Sequence, residues 1–350
     1  MNWSTVKNLL IAMLLAANAF LIFNIIRQDR TRSYIDIDEV TGAAELLTLR
    51  GLTVDPDNVP LEKFKAPVYE SLFNDEYYTA VAETVTGSRR EMLLSLPNGG
   101  FSITAENGGL VEFDTEFGFY YAKNDKSGVS AYTDITASDF ADRAAKNEAL
   151  SGAYLKSISR KATAFLDSRV PSDYTLCAKI TDSFEDTETG LAYLLAAQML
   201  GGHEVYSHYA VCVFDKDELV NVYGRWYFAP FDEDYGTELV DQVNILFYDL
   251  WNIRSEASSR FILQGDGAED YLSVPGAVAL LADEDVHTET AEAEDLGEIP
   301  AVIGMRSCYA TYWSADKTAV YFIPAWQIDH EDGRSIVYNA TNGTVYASNR

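Results

Sequence analysis

The chain has 350 residues, with 54 Asp and Glu residues against 26 Lys and Arg residues and a formal net charge of −28. Its length suffices for two or three domains, and its 47% hydrophobic and 13% aromatic content excludes a disordered chain. The acidic excess argues against a nucleic-acid-binding protein, because phosphate contacts need clustered Lys and Arg side chains. The three Cys residues have no C-x-x-C spacing, so neither a disulfide framework nor a zinc site is expected.

An uncharged apolar run of 19 residues, 8–26, lies near the N-terminus. Its length reaches the roughly 17–25 residues that a helix needs to cross the hydrocarbon core of a bilayer. The run predicts an uncleaved transmembrane helix, because the apolar residues continue past Ala17-Asn18-Ala19. That sequence resembles a small-x-small cleavage site, and a cleaved signal peptide is the alternative interpretation.

Within this run, Asn8, Ala12, Ala16 and Ala19 recur at spacings of four, four and three, which places them on one face of a helix. Small side chains let two membrane helices approach closely, and an Asn side chain can hydrogen-bond across the contact. We interpret this face as a helix-packing face. The alternative is that Ala is merely tolerated in a membrane anchor.

The charges that flank the run favour a cytoplasmic body. Lys7 precedes the run, whereas Arg27, Arg30 and Arg32 follow it, and Lys and Arg residues are enriched on the cytoplasmic side of membranes. The 22 basic and 53 acidic residues after position 32 make the body strongly acidic. Such a surface is expected to stay soluble and to be repelled by anionic headgroups.

Hydrophobic periodicity in the body alternates between helix and strand patterns. A first helix is predicted to begin with a cap at Asp38 and to end at Gly51, and longer helices are predicted over 138–167 and 238–261. Asn-Gly and Asp-Gly pairs between apolar alternations indicate hairpins. The predicted strands are 92–96, 101–104, 110–113, 117–121, 174–180, 191–199, 209–214, 219–223, 308–313, 319–323, 326–329, 335–339 and 344–346.

A helix followed by an antiparallel meander therefore occurs twice, over 138–230 and 238–350, and predicts an α+β fold. Pro324 is predicted at the first residue of a strand, and Trp326 in the core between sheet and helix. The predicted organisation has five parts. They are a cytoplasmic tail (1–7), a transmembrane helix (8–26), a membrane-proximal α+β region (27–135) and two helix-plus-meander domains (136–235 and 236–350).

The sequence contains no recognisable catalytic motif, and we predict a protein that is not an enzyme and binds no metal or cofactor. His203 and His208 are five residues apart on a predicted strand, which places them on opposite faces. The acidic segment 232–236 imitates part of a calcium loop but lacks the Glu at its twelfth position. His287 and His330 lie in acidic or turn segments. A wall-active hydrolase stays an alternative, because paired carboxylates are recognisable only in the fold.

Short motifs occur at both ends of the chain. They are MNWS at 1–4, LRGL at 49–52, VP at 59–60, YFIPAW at 321–326 and VYNATNG at 337–343. Together they resemble the YycI/YycH family, the single-pass regulatory membrane proteins of the WalK–WalR (YycG–YycF) two-component system in Gram-positive bacteria. The Asn-Trp-Ser opening is most similar to YycI.

The resemblance implies a cytoplasmic N-terminus and an extracytoplasmic body, opposite to the orientation that the flanking charges favour. We adopt the implied orientation, because flanking charge is a bias and not a law. The resemblance also implies a complex with a YycH-like partner and a WalK-like sensor histidine kinase, which adjusts kinase activity and cell-wall metabolism. The face of Ala12, Ala16 and Ala19 then contacts the kinase helix and favours the kinase state that it binds better. The alternative function is a secreted or anchored binding module that inhibits a cell-envelope enzyme.

Overall fold

The computed structural model describes residues 34–64, 66–72, 94–95, 101–104, 109–113, 118–123, 137–167, 176–228, 232–233, 239–262, 299–314 and 319–349. These residues form two compact units. The first unit contains the described residues up to 64, those between 239 and 306, and those from 325 onward. The second unit contains the described residues from 66 to 233 and those between 307 and 324. Each unit is thus discontinuous in the chain, whereas the domain boundaries predicted from sequence run consecutively.

The described residues have an α+β fold, which confirms the predicted class. The helices are α1 (Ile37–Leu49), α2 (Ala137–Ala144), α3 (Gly152–Asp167) and α4 (Gln242–Ile262). The strands are β1 (Tyr69–Leu72), β2 (Leu94–Ser95), β3 (Phe101–Thr104), β4 (Leu110–Phe113), β5 (Gly118–Ala122), β6 (Leu176–Glu185), β7 (Leu191–Leu200), β8 (His203–Asp215), β9 (Glu218–Arg225), β10 (Asp232–Glu233), β11 (Val302–Trp313), β12 (Ala319–His330), β13 (Ser335–Asn339) and β14 (Val345–Asn349).

Helix α1 of the first unit is capped by Asp36, and the predicted cap at Asp38 is wrong. The Asp36 carboxylate accepts the Asp38 N–H at 3.1 Å. Asp38 lies instead in the first turn, where its negative charge interacts favourably with the positive end of the helix dipole. Gly51 ends the helix with φ +96°, as predicted. The buried face consists of Val40, Ala43, Ala44 and Leu47.

Helix α4 of the first unit begins at Gln242, later than predicted, because the backbone before it hydrogen-bonds to another segment. The Val240 N–H donates to the Ala340 carbonyl at 2.7 Å, and the Asp241 carboxylate caps the helix by accepting the Asn244 N–H at 2.9 Å. The sequence predicts an apolar stripe on this helix, formed by Leu239, Val243, Leu246, Leu250, Ile253 and Ala257. Of these residues, Leu246, Leu250 and Ile253 are buried. In the same unit β13 pairs antiparallel with residues 325–329 of β12 and with β14.

Pro324 lies inside a single strand, β12, so the two predicted strands 319–323 and 326–329 are one element. Residues 319–322 of β12 pair with β1, and residues 325–329 pair with β13. Pro324 lies between these two paired stretches, where its missing N–H interrupts neither set of hydrogen bonds. The prediction that Pro324 opens a strand is therefore corrected.

The second unit contains the predicted antiparallel meander, in which β2, β3, β4 and β5 pair in chain order. The sheet continues through β9, β8, β7 and β6, all antiparallel, and β8 also pairs in parallel with β11. Strand β1 pairs with β10 and β12. A cluster of buried side chains fills the core: Phe140, Phe184, Tyr193, Val211, Val213 and Tyr223.

The predicted helix 138–167 is two helices, α2 and α3, and the intervening residues explain the break. The Glu148 carbonyl accepts the Glu185 N–H at 2.9 Å, so the backbone there pairs with β6 and does not continue the helix. The Asn147 side chain donates to the Arg143 carbonyl at 3.0 Å and satisfies an acceptor at the end of α2. Phe140 of α2 is fully buried against Phe184, at 5.0 Å between ring centroids.

Candidate functional site

The predicted helix-packing face, Asn8, Ala12, Ala16 and Ala19, lies outside the described residues, as does the whole run 8–26. Among the helices in the described part of the chain, none is long and apolar enough to cross a membrane. The transmembrane helix and its packing face therefore stay predictions.

His203 and His208 both lie on β8, and the structure gives them different partners. His203 Nδ1 lies 2.8 Å from Ser307 Oγ, whereas the fully buried His208 Nδ1 lies 2.9 Å from Gln198 Oε1. The prediction of opposite faces assumed regular alternation along the strand. That alternation is broken, because residues 205–208 of β8 lie opposite Gln198 alone and Ser207 has φ +61°.

Gln198 ties this bulge to the segment after β9. Its Nε2 donates to the Tyr227 carbonyl at 2.6 Å, and its Oε1 accepts the Tyr227 N–H at 3.1 Å. Since Oε1 can only accept, the His208 Nδ1 must carry the hydrogen. Burial, together with the positive charge of Arg225, lowers the pKa of His208 to about 3. His208 is therefore a neutral donor that holds the bulge in place, and it has no acid–base role near neutral pH.

Asp249, His330 and Tyr338 form a buried polar cluster in the first unit that the sequence analysis missed. His330 Nε2 lies 3.2 Å from Asp249 Oδ2, and both side chains are fully buried. The Tyr338 hydroxyl donates to Asp249 Oδ1 at 2.6 Å. The sequence predicts His330 in an acidic or turn segment, but it is the last residue of β12. The sequence feature that indicates a buried polar site is Asp249, because this carboxylate lies between Leu246 and Leu250 on the apolar face of a predicted helix.

The acidic segment 232–236 is described only at Asp232 and Glu233, which form strand β10 and pair with Glu70 and Tyr69 of β1. His287 lies outside the described residues. Across the described ranges, no three His, Cys, Asp or Glu residues are grouped so that they could hold a metal ion.

All seven large hydrophobic side chains that are exposed in the described ranges belong to the first unit. Two of them share the outer side of α1, where Leu46 is 56% and Leu49 82% exposed. Isolated exposed apolar residues are common on protein surfaces, but two Leu residues three positions apart form a continuous strip on a helix. The remaining five are Tyr34, Ile37, Trp251, Ile303 and Val345.

The three Cys residues are free thiols with different accessibility. Cys177 is exposed, whereas Cys212 and Cys308 are buried. Burial raises the pKa of Cys212 to about 12. In the folded protein we expect one thiol per chain, Cys177, to react with an aromatic disulfide reagent at pH 7, and all three to react in denaturant. A folded Cys177→Ser chain should then give no reaction. Reaction of a second thiol without denaturant would contradict the burial of Cys212 and Cys308.

The rate of the Cys177 reaction should depend on Asp167. Partial burial and the negative charge of Asp167 both raise the pKa of the Cys177 thiol, which lowers the thiolate fraction. In Asp167→Asn the side-chain oxygen can still accept the Ala178 N–H, a bond of 2.7 Å in the structure, while the charge is removed. We expect the variant to react faster by roughly threefold at pH 7. An unchanged rate constant would show that the carboxylate charge does not act on the thiol.

Comparisons with known proteins identify no family. No protein-family model matches the chain, and no curated protein sequence matches it. Among solved structures, the chain is similar to an uncharacterized protein from Eubacterium rectale, with a TM-score of 0.44 and 11% sequence identity. That similarity covers 85% of this chain and 89% of the other. A TM-score and a sequence identity of this size support no inference about the fold or the function of this chain.

Proposed function

We propose that this chain is a membrane-anchored, non-enzymatic regulator of a sensor histidine kinase, with its α+β body outside the membrane. One observation carries the proposal: an uncharged 19-residue run has Asn8, Ala12, Ala16 and Ala19 on one helical face, in a chain whose end motifs resemble the YycI/YycH family. A run of this length matches the bilayer core, and such a face matches a second helix.

The exposed strip of Leu46 and Leu49 supports a binding role for the body. Helix α1, which carries this strip, begins at Ile37, soon after the run ends at Ile26. A partner held at the membrane by residues 8–26 is therefore within reach of α1 through a short connection. Full burial of one exposed Leu side chain contributes about 1.5–3 kcal/mol. Two such residues can therefore strengthen the binding of a partner that also contacts the transmembrane helix.

The regulator needs no chemistry of its own to change the output of a kinase. It acts if its helix binds one kinase conformation more tightly than another, because a ligand shifts an equilibrium by its difference in affinity for the two states. A difference of about 1.4 kcal/mol changes the ratio of the two states tenfold. Close packing along Ala12 and Ala16 is a source of such a difference, since small side chains contact well only in one helix arrangement.

The test is co-purification from membranes, with wild type compared with Ala12→Leu/Ala16→Leu. We expect a histidine kinase to be recovered with wild type and its recovery to fall at least about tenfold in the double variant, because two Leu side chains push the helices apart. Ala17→Leu adds one Leu side chain on the opposite side of the helix and is the control that keeps the partner. The proposal fails if no kinase accompanies the wild type, or if the double variant recovers it equally well.

The Ala17-Asn18-Ala19 sequence favours a second candidate, a secreted or anchored module that binds and inhibits a cell-envelope enzyme. N-terminal sequencing of the mature protein separates the two. A mature chain that begins after Ala19 has lost most of the apolar run and supports the binding module. A mature chain that retains residues 1–19 supports the membrane-anchored regulator.

A further inference from the structure

Four groups from separate segments form one buried cluster around His330 in the first unit. His330 Nε2, at the end of β12, lies 3.2 Å from Asp249 Oδ2 on α4. The other carboxylate oxygen accepts the hydroxyl of Tyr338, from β13, at 2.6 Å. His330 Nδ1 lies 3.2 Å from the carbonyl oxygen of Pro300, just before β11. This cluster therefore joins a helix, two strands and a connecting segment.

The contacts of this imidazole can all be satisfied only while the pair of His330 and Asp249 holds an extra proton. The Pro300 carbonyl cannot donate, so Nδ1 must carry a hydrogen. Nε2 and the carboxylate then need one more proton between them, whether it resides on the ring or on Asp249 Oδ2. Without it, the Nε2 lone pair faces a carboxylate in a site with no solvent, and the pair has an uncompensated negative charge.

The charged groups around the pair come from two neighbouring elements. Asp249 faces His330 from α4, and β13 contributes the neutral Tyr338 hydroxyl. The turn after β12 contributes Arg334, whose charge opposes protonation of His330, and Asp332, which is paired with Arg334 at 2.6 Å. Since Asp332 offsets Arg334, Asp249 is the dominant charge at the imidazole.

We propose that the buried pair of Asp249 and His330 is a pH-operated clamp, which holds α4 against β12 and β13 while the pair keeps its extra proton and releases α4 when that proton is lost. Loss of the proton replaces the contact between the Nε2 hydrogen and the Asp249 carboxylate by a repulsive contact of two lone pairs at the centre of this packing. Helix α4 is the element that we expect to separate, because it carries Asp249 on its buried side. This clamp does not depend on the function proposed above.

The direction of the pH effect follows from the balance of forces on His330. Burial by itself lowers the pKa of His330, but the hydrogen bond and charge of Asp249 and the Pro300 carbonyl outweigh it, and the pKa of His330 is raised. A group whose pKa is higher in the folded than in the unfolded state stabilises the fold fully below its unfolded pKa, about 6.5 for His. That stabilisation is lost as the pH rises through the folded pKa. The clamp is therefore closed in acid and opens in alkali.

Asp249→Asn tests the clamp by reversing this direction. The Asn Oδ1 still accepts the Tyr338 hydroxyl, and its Nδ2 donates to the Nε2 of a neutral imidazole, whose Nδ1 still donates to Pro300. The variant clamp is thus closed while His330 is neutral and opens as His330 gains a proton. Wild type opens as the pH rises, and Asp249→Asn opens as the pH falls. His330→Gln removes the imidazole, so the pH dependence that the imidazole causes should disappear.

The measurement is hydrogen–deuterium exchange of the full chain from pH 5 to pH 9, corrected for the intrinsic exchange rate. Peptides from residues 242–254 of α4 report the clamp, and peptides from β7 in the second unit are the internal control. We expect exchange in α4 of wild type to become at least about tenfold faster over this range, with the opposite slope in Asp249→Asn. Flat exchange in wild type overturns the proposal, as does a wild-type slope that persists in His330→Gln. The latter comparison remains decisive if the Asn variant does not fold.

Discussion

Replacement of Trp326 by Ala should lower the free energy of unfolding of the first unit by about 3–5 kcal/mol. Trp326 is 1% exposed, packs its ring edge against Phe64 at 5.6 Å between centroids, and donates its Nε1 hydrogen to the Val240 carbonyl at 3.2 Å. The substitution removes one of the two buried Trp side chains of the described residues and leaves a cavity. It also leaves the Val240 carbonyl, just before α4, without this donor.

Urea denaturation followed by circular dichroism measures this loss, with exchange of β13 peptides to assign it to the first unit. Trp251→Ala is the matched control, because Trp251 is 40% exposed on α4. Its effect should stay within about 1 kcal/mol, since partly exposed side chains contribute little packing. If both variants lowered the free energy of unfolding equally, the burial of Trp326 would not be what stabilises the core of this unit.

Replacement of Gly224 by Ala should destabilise the second unit by about 4 kcal/mol. Gly224 lies in β9 opposite Ala210 of β8, with φ +140°, a value that side-chain-bearing residues rarely adopt. A Cβ at this position would lie 2.1 Å from the Tyr209 carbonyl oxygen and 3.0 Å from the Ala210 Cα. Both obstacles are backbone atoms, so the strands must move apart. Strain of this φ costs about 1–3 kcal/mol, and overpacking costs about as much again.

Gly190→Ala separates the two costs. Gly190 has φ +70°, but a Cβ there meets nothing within 4 Å. Its substitution should therefore cost only about 1–2 kcal/mol of backbone strain. Urea denaturation followed by tryptophan fluorescence, to which the buried Trp226 of the second unit contributes, measures both variants. The steric explanation is wrong if Gly224→Ala is no more destabilised than Gly190→Ala.

Local patterns identified most elements of the described body. Asn107-Gly108 and Asp332-Gly333 mark hairpins that the structure contains, because β3 pairs with β4 and β12 pairs with β13. Turn chemistry and strand alternation act over a few residues, so they are readable without the fold. Trp326 was predicted in the core and is buried there, because a large apolar side chain is seldom exposed in a strand next to other apolar residues.

Errors occurred where distant residues redirected the backbone. The predicted helix over 138–167 is broken because Glu148 pairs with Glu185 of β6, a contact between residues far apart in sequence. Pro324 is tolerated inside β12 because two different strands pair on either side of it along the chain. Hydrophobic periodicity predicts neither the pairing of Glu148 nor the two partners of β12, since it depends only on residues close together in sequence.

The sequence by itself determined the α+β class and the hairpin meanders, because composition, turn residues and apolar spacing act locally. It is also the sole basis for the transmembrane helix with its face of Asn8, Ala12, Ala16 and Ala19. Only the tertiary structure decided that each unit is assembled from separated segments, that Gln198 closes a bulge in β8, and that Asp249 meets His330. These arrangements are long-range: their members are distant in sequence, and strand pairing and helix packing bring them together.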